Sequence, residues 1–128
     1  MVNSIGTDLL EKNRIERIFS RFDRKFINKV LTKKEISIFD SLKTPKKRID
    51  FLSNNFAAKE AVSKVLGVGF SQGVRPKDIV VIRKYGPPQV ELKGKAKELA
   101  FHKGIESISL SLSDTDRLAV AVAQAIIK

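Results

Sequence analysis

The sequence contains no cysteine and no tryptophan, and only one tyrosine, one histidine and one methionine among its 128 residues. Without cysteine, disulfide bonds, thiolate nucleophiles and cysteine metal ligands are excluded. No apolar run approaches the roughly 18–20 residues that a membrane span needs, and the amino-terminal segment has no basic region followed by a long apolar run. These absences favour a cytoplasmic protein of a reducing compartment with no membrane span.

The composition indicates a single globular domain. Hydrophobic residues make up 42% of the chain and charged residues 30%, which is typical of folded rather than disordered proteins. A chain of this length suits one hydrophobic core, and no repeat or linker interrupts it. We therefore expect residues 1–128 to form one domain.

The charge is strongly basic and unevenly distributed. Lysine and arginine total 25 against 14 acidic residues, which gives a formal charge of +11. Thirteen of the basic residues lie between Lys12 and Arg48, a stretch with only four acidic ones. Such a field attracts polyanions and speeds their encounter. Nucleic acid, an acidic membrane surface and an acidic protein all fit it, and charge alone does not choose among them.

The chain is predicted to open with a strand and a helix. Residues 2–8 read as a short strand, and Gly6 within it suggests that something approaches the backbone closely there. A helix is expected from Leu9, with basic residues, Lys12 among them, on its surface. Its apolar positions fall at helical spacing: Leu10, Ile15, Ile18, Phe19 and Phe22.

Two further helices are marked by their amino-terminal signals. Thr32 and Glu35 match a capping box, which predicts a helix through about Leu42. Thr44-Pro45 supplies an N-cap and a proline for the first turn of a longer helix, expected to run to Leu66.

Two sequence features bear on where the long helix ends and on whether it is continuous. Gly67 is a natural residue to end it. The run Ser53-Asn54-Asn55 is able to bend or interrupt it, because these side chains compete for backbone hydrogen bonds.

The second half of the chain is predicted to be rich in strands. Residues 78–84 and 89–92 read as a hairpin around the turn 85–88, and 93–103 as a short helix. Residues 106–113 alternate strictly, and 118–127 form a last apolar strand. Helices first and strands later, after one opening strand, indicate an α+β domain.

Two acids and a lysine are the strongest candidates for chemistry. Glu60 and Lys64 share a face of the long helix, and Asp8 is expected at the end of the opening strand, before a helix. Mg²⁺ is often held by one or two carboxylates with phosphates and water, and Lys64 would be a nearby phosphate cation. The competing interpretations are a surface Glu–Lys pair worth about 0.2–0.5 kcal/mol and an N-cap role for Asp8.

Segments along nearly the whole chain resemble one family. The opening Ile5-Gly6-Thr7-Asp8-Leu9-Leu10-Glu11 and the later Phe56-Ala57-Ala58-Lys59-Glu60-Ala61 are similar to the two signatures of the holo-acyl-carrier-protein synthases, with the proper separation. The hairpin from Asp78 to Val90 and the closing strands match as well. The resemblance implies a phosphopantetheinyl transferase fold, with helices on a mainly antiparallel sheet, and a homotrimer with active sites at subunit interfaces.

The resemblance also implies an activity and its residues. Asp8 and Glu60 would hold Mg²⁺, and Lys64 would neutralise the pyrophosphate of the substrate coenzyme A, with Gly67, Pro88 and Arg48 as further coenzyme A contacts. A serine of an apo acyl carrier protein would attack the β-phosphate, taking phosphopantetheine and releasing 3′,5′-ADP, in the service of fatty acid biosynthesis. Glu60 would accept the serine proton, directly or through water on the metal.

The same resemblance implies a binding role for the basic first helix, because acyl carrier proteins are acidic. Arg14, Arg21 and Arg24 are candidates for docking the carrier, and Phe22 offers an apolar contact. For any single arginine, a solvated helix face is an equally good interpretation.

Two positions depart from the family pattern. Asn55 stands where the family usually carries an arginine, which Arg48, Lys46 or Lys47 would replace. Asp114 stands where the family often has histidine, and a turn role is favoured over a metal contact. The single histidine, His102, is expected to be structural or exposed rather than catalytic.

Two other functions remain alternatives at this level. A small basic nucleic-acid-binding module is supported by the charge and opposed by the lack of basic strands with interleaved aromatics. A structural trimer that has lost activity is supported by Asn55 and Asp114 and opposed by the presence of Asp8, Glu60 and Lys64.

Overall fold

The computed structural model describes the backbone of residues 2–83 and 86–128. The chain begins with strand β1 and four helices, followed by a hairpin, a helix and two long strands. The elements are β1 (Val2–Glu11), α1 (Lys12–Phe22), α2 (Arg24–Val30), α3 (Lys33–Ser41), α4 (Pro45–Val65), a 3₁₀ turn (Pro76–Asp78), β2 (Ile79–Ile82), β3 (Gln89–Leu92), α5 (Gly94–His102), β4 (Ile105–Asp114) and β5 (Leu118–Ile127).

The strands form two antiparallel sheets. The larger sheet has the order β1-β5-β4, and the smaller pairs β2 with β3. In the larger sheet β5 is central, with Asp8 opposite Ala121 on one side and Leu112 opposite Ala121 on the other. Helices packed on antiparallel sheets confirm the predicted α+β class.

Helix α4 lies against the large sheet, and small residues allow it to lie close. The inward positions of β5 are all alanine and all buried: Ala119, Ala121, Ala123 and Ala125. On β1 a Cβ added to Gly6 would stand 2.3 Å from the carbonyl oxygen of Ala61. The close approach predicted at Gly6 is therefore real, and its partner is the backbone of α4.

The opening strand is longer than predicted. It continues past Asp8 to Glu11, because β1 pairs with β5 along its whole length, from Val2 opposite Ile127 to Glu11 opposite Leu118. Placing a helix start at Leu9 and a strand end at Asp8 was wrong. The N-cap role considered for Asp8 was wrong too, since Glu11 occupies that position.

The basic helical region is two helices rather than one. Asp23 adopts φ of +47°, which breaks the hydrogen-bond ladder, so that α1 ends at Phe22 and α2 begins at Arg24. Lys12 is also not on the surface, as only 4% of it is exposed. Lys12 is the first residue of α1, but it continues the inward alternation of Asp8 and Leu10 on β1, and its N–H still donates to Arg117 O at 2.8 Å.

Both predicted helix starts are confirmed. In α3 the Thr32 side chain accepts from Glu35 N, and Glu35 Oε1 accepts from Thr32 N at 2.8 Å. In α4 the side chain of Thr44 accepts from Lys47 N at 3.1 Å, and Pro45 is the first helical residue.

The polar run within α4 does not interrupt the helix. Ser53, Asn54 and Asn55 are buried, and the helix continues through them. Asn55 Nδ2 donates to the Phe51 carbonyl one turn earlier at 2.9 Å, a bond that is compatible with helical geometry. The helix ends at Val65, and Gly67 takes φ of +86°, as its position after the helix predicted.

The second half follows the prediction closely. The first hairpin strand covers Ile79–Ile82, since Asp78 belongs to the 3₁₀ turn, while Lys84 and Tyr85 lie outside the described residues. The alternating strand is confirmed over Ile105–Asp114 and the last strand over Leu118–Ile127. None of the helices in the described ranges has the length and apolar character required to cross a bilayer.

Candidate functional site

Asp8 on β1 and Glu60 on α4 lie near the contact between these two elements, close enough that the charge of Asp8 raises the pKa of Glu60. Asp8 lies on the side of the strand that carries Gly6 and Leu10 and faces α4, with 16% of its side chain exposed. Glu60 precedes Ala61, whose carbonyl touches Gly6. The glycine thus brings the strand and the helix together at the point where the two carboxylates stand.

Lys64 joins this site from the next turn of α4. Its ammonium donates to the Thr7 carbonyl at 2.7 Å and lies 3.4 Å from Asp8 Oδ1, with half of its side chain exposed. Lys64 therefore reaches across to the strand, and the ordinary surface pairing with Glu60 that the spacing allows is not its main contact. Asp8, Glu60 and Lys64 form one cluster, as the sequence analysis expected.

The electrostatics of the cluster are uneven. Burial raises the pKa of the Glu60 carboxyl, and the negative charge of Asp8 raises it further, while Lys64 and Arg14 act in the opposite direction. Burial and a neighbouring negative charge both disfavour the ionised form of a carboxyl group. A cation bound between two such groups would stabilise their ionised forms.

The donor set of this cluster fits a hard divalent cation. Two carboxylates are the protein ligands that Mg²⁺ commonly uses when phosphates and water supply the rest. In the part of the chain that the structure describes, no group of three or more carboxylate or imidazole side chains forms a complete metal site. A cation at Asp8 and Glu60 would therefore need ligands from a bound substrate.

The other expected coenzyme A residues lie in different places. Gly67 follows α4 one turn after Lys64, and the position of a Cβ on it would lie 3.1 Å from Lys103 Nζ. Pro88 precedes β3 in the small sheet. Arg48 is occupied at the end of α3, where its guanidinium donates to Leu42 O at 3.0 Å and stacks over the Phe39 ring.

Asp114 takes part in a network that the sequence analysis missed. It is the last residue of β4, and its carboxylate accepts from Lys12 Nζ at 2.7 Å. The same ammonium donates to Asp50 Oδ1 at 2.9 Å and to Thr115 O. Burial lowers the pKa of Lys12, but its hydrogen bonds to Asp114 and Asp50 and the charges of these two carboxylates outweigh that effect, so that its pKa is raised overall. The signal available in the sequence was the alternation Gly6, Asp8, Leu10, Lys12.

Asn54 connects that network to the polar run of α4. A hydrogen bond from Asn54 helps to lower the pKa of Asp114, together with the larger effect of Lys12. Asn55 is directed back to its own helix through Phe51 O. Asn55 and Asp114, the two positions that depart from the family pattern, thus both make hydrogen bonds within the fold.

His102 is exposed at the end of α5, with its ring edge-on to Phe101.

A groove between α1, α2 and α4 combines apolar walls with basic edges. It has a volume of about 390 Å³ and is lined by Ile18, Phe22, Lys25, Phe26, Lys29, Val30, Phe56 and Pro76. Arg21 lies over the Phe22 ring at 5.2 Å, and Arg14 is exposed on α1 and close enough to Glu60 to affect its pKa. Arg24 is on α2 instead and pairs with Asp40 at 2.6 Å.

Comparisons with known proteins agree with this fold. The sequence profile of the 4′-phosphopantetheinyl transferase superfamily matches residues 4–123. The holo-[acyl-carrier-protein] synthase of Hydrogenovibrio crunogenus is 41% identical over 122 residues, which are 94% of each chain. The chain belongs to the 4′-phosphopantetheinyl transferase superfamily and, within it, to the holo-[acyl-carrier-protein] synthases.

Solved structures support the same assignment. The holo-ACP synthase of Plasmodium yoelii superposes with a TM-score of 0.85 at 38% identity, covering 100% of this chain and 99% of that one. The enzyme of Helicobacter pylori in complex with coenzyme A gives a TM-score of 0.81 at 30% identity, covering 95% and 99%.

Proposed function

We propose that this chain transfers the 4′-phosphopantetheine group of coenzyme A to a serine of an apo acyl carrier protein, as a step that serves fatty acid biosynthesis in the cytoplasm. Membership of the holo-[acyl-carrier-protein] synthases and the cluster of Asp8, Glu60 and Lys64 support this activity. The observation that carries it is the placement of two carboxylates and one ammonium at a single crossing of β1 and α4. We also propose that residues 1–128 act as a single domain.

Mg²⁺ is the proposed cofactor, held by Asp8 and Glu60. When bound, it would supply Lewis-acid charge stabilisation on the pyrophosphate of coenzyme A. Burial, and after it the charge of Asp8, raise the pKa of Glu60, and a cation bound to both carboxylates would offset their repulsion, which supports this assignment.

The protein side chains have separate roles in the displacement. The serine oxygen forms a bond to the β-phosphorus, the pyrophosphate P–O bond breaks, and 3′,5′-ADP leaves. The ammonium of Lys64 offsets negative charge on the phosphates, and its contacts to Thr7 O and Asp8 hold it at the cluster. Glu60 is the candidate acceptor of the serine proton, directly or through a water on the metal, because it stands in the same cluster as Asp8 and Lys64.

The chain is proposed to act as a homotrimer with active sites shared between neighbours. The outer face of the large sheet supports this, because it leaves apolar side chains uncovered: Ile5 is 64% exposed, Leu9 66% and Val122 41%. Arg48 and Pro88 are then proposed to contact the coenzyme A bound at Lys64 and Gly67 of a neighbouring subunit. This would account for the position of Arg48 near the start of α4, where it contacts the end of α3 and lies away from the Asp8–Glu60 pair.

A mixing experiment tests the shared site. Glu60→Gln and Arg48→Ala protomers, each inactive when alone, should regain activity when refolded together, because some interfaces then contain both native residues. Activity that does not exceed the sum of the two separate samples would contradict the shared site. Sedimentation analysis of each sample checks that trimers form.

The basic groove is the proposed docking site for an acidic carrier protein. Its apolar floor suits an apolar helix face, and its lining residues Lys25 and Lys29 suit carboxylates. We propose that Arg14 and Arg21 on α1 and Arg24 on α2 extend this basic edge. Arg14→Ala should raise the KM for the carrier about tenfold at low salt and weaken the salt dependence of that KM. An exposed lysine away from the groove supplies the control, as Lys97→Ala on α5 should change neither. An unchanged KM in Arg14→Ala would contradict the docking site.

A mass assay tests the activity itself. Purified protein with coenzyme A, Mg²⁺ and an apo carrier protein should add the mass of one phosphopantetheine group to the carrier, and EDTA should prevent it. Glu60→Gln should fold normally and show no turnover. A carrier that stays unmodified across several apo carrier proteins would overturn the transferase assignment and leave the nucleic-acid-binding or inactive-trimer alternatives. Turnover that survives EDTA would contradict only the metal requirement.

A further inference from the structure

Lys59, next to Glu60 on α4, forms a fully buried ion pair with Glu35. The side chains are 1% and 2% exposed, and Lys59 Nζ lies 2.7 Å from Glu35 Oε1. We call these two residues the buried clamp. Lys59 Nζ also donates to Val30 O at 2.8 Å and to Pro76 O at 3.1 Å. An ammonium has three donors, and all three are used.

In the carboxylate of Glu35, the other member of the clamp, both oxygens accept hydrogen bonds. Glu35 Oε1 also accepts from Thr32 N at 2.8 Å, and Glu35 Oε2 accepts from Val81 N at 2.9 Å. The clamp therefore joins α4 to the end of α2, the start of α3, the 3₁₀ turn and β2. A buried polar network with every member satisfied is rigid and permits one arrangement of the elements it joins.

The clamp and the Gly6 contact hold opposite sides of the same helix. With about 100° of rotation per residue, Lys59 and Ala61 point about 200° apart, and Glu60 stands between them. Ala61 is pressed against Gly6 on β1, and Lys59 is fixed in the interior on the far side. Two anchors on opposite sides fix the rotation of α4 about its own axis, which is the variable that aims Glu60 at Asp8.

From this geometry we infer that Lys59, together with Glu35, is a positioning residue for the reaction: the buried clamp sets the rotation of α4 and so holds Glu60 in register with Asp8. The inference rests on the proposed role of Glu60. The clamp also holds the backbone of Val30 and Pro76, whose side chains line the basic groove. Carrier docking and the orientation of Glu60 therefore share one rigid support.

The test replaces the clamp without leaving a lone charge. Lys59→Met/Glu35→Gln keeps the volumes and removes both charges. Val80→Ala is the control, since Val80 is buried on β2 outside both the clamp and the cluster and its change lowers the melting temperature by a core defect alone. Both proteins are assayed well below their melting temperatures, where circular dichroism shows them folded.

Two readouts separate positioning from general stability. The clamp variant should lose about 10- to 100-fold in kcat, because small misplacements of a reacting group cost that much. Its affinity for Mn²⁺, measured by electron paramagnetic resonance without turnover, should fall about tenfold or more. Val80→Ala should keep both values. Losses in the clamp variant no larger than those in Val80→Ala would overturn the inference.

The absence of native cysteine provides a second test, in which the ammonium of residue 59 is restored chemically. Lys59→Cys is alkylated in denaturant with 2-bromoethylamine, which rebuilds an ammonium at nearly the length of lysine, or with 1-bromopropane, which gives a neutral chain of equal length. After refolding, the aminoethyl protein should bind Mn²⁺ normally and the propyl protein weakly. Equal affinity in the two would contradict the inference.

The proposed function can fail independently of the clamp. Full activity in Glu60→Gln would remove the proposed role of Glu60 and the basis of the inference with it. Lost activity in Glu60→Gln together with normal kcat and Mn²⁺ affinity in the clamp variant would overturn the clamp alone.

Discussion

Lys59 and Glu60 are adjacent residues of one helix and have opposite surroundings. Lys59 is completely buried and donates three hydrogen bonds to Glu35, Val30 and Pro76. Glu60 is only half-buried, and burial together with the charge of Asp8 raises its pKa. One charge is satisfied by the fold, while the other lies beside a like charge. The ammonium of Lys59 has a carboxylate and two carbonyl oxygens as partners, although burial still lowers its pKa. The charge of Glu60 would instead be offset by a bound cation or removed by a proton.

The two residues should therefore respond in opposite ways to the loss of charge. Lys59→Met leaves Glu35 buried without its cation and should lower the free energy of unfolding by about 3–5 kcal/mol. Glu60→Gln removes an ionised group whose folded pKa is raised, so the metal-free protein should be as stable as the native one or more stable at neutral pH. Urea unfolding of both variants measures the difference.

The double variant Lys59→Met/Glu35→Gln is the control for this comparison. It should recover much of the lost stability, because neither charge is then left unpaired. Equal losses in Lys59→Met and Glu60→Gln would show that the two sites do not differ as their contacts indicate.

The other anchor of α4 gives a smaller effect on stability. Gly6→Ala places a Cβ against Ala61 O, at 2.3 Å before relaxation, so the helix must move away from β1. We expect a loss of about 1–3 kcal/mol, as in other overpacked interiors, together with reduced turnover because Glu60 moves relative to Asp8. Unfolding and steady-state rates are measured on the same preparation.

Gly69→Ala is a suitable control for the glycine change. Gly69 has φ of +58° and nothing within 4 Å of an added Cβ, so its substitution strains the backbone without a steric contact. It should cost about 1–2 kcal/mol and leave turnover unchanged. If Gly6→Ala behaved in the same way, the close contact would not be what orients Glu60.

Much of this arrangement was readable from the sequence, but only where the signals are local. The capping box of Thr32 and Glu35, the proline start of α4 and Gly67 after its end were all predicted and confirmed. The extent of β1 was not, because pairing with β5 overrides the helical spacing from Leu9 onward. Local pattern cannot reveal a partner strand more than a hundred residues away.

In the candidate site, too, local signatures were predictive and contacts between distant parts of the chain were not. The family signatures indicated Asp8, Glu60 and Lys64, and the structure brings them together. The second role of Glu35 was hidden, because its capping signature explains one oxygen contact, whereas its contacts to Lys59 and Val81 bridge distant parts of the chain. Lys12 was misread for a similar reason, since its partners Asp50 and Asp114 belong to α4 and β4.

The smallest expected effect concerns the titration of Glu60 and refines the comparison with Lys59. In the metal-free protein Glu60 should titrate above the ordinary pKa of about 4.3, chiefly because it is desolvated and also because Asp8 is charged. A carboxyl with a raised folded pKa destabilises the fold once it is ionised, and this cost disappears as the pH falls through that pKa. Asp8→Asn should lower the Glu60 pKa, and Lys64→Met should raise it, as followed by ¹³C NMR of the side-chain carboxyl. Shifts of the same sign in the two variants would mean that charge does not control this group, and that the contrast with Lys59 is one of burial alone.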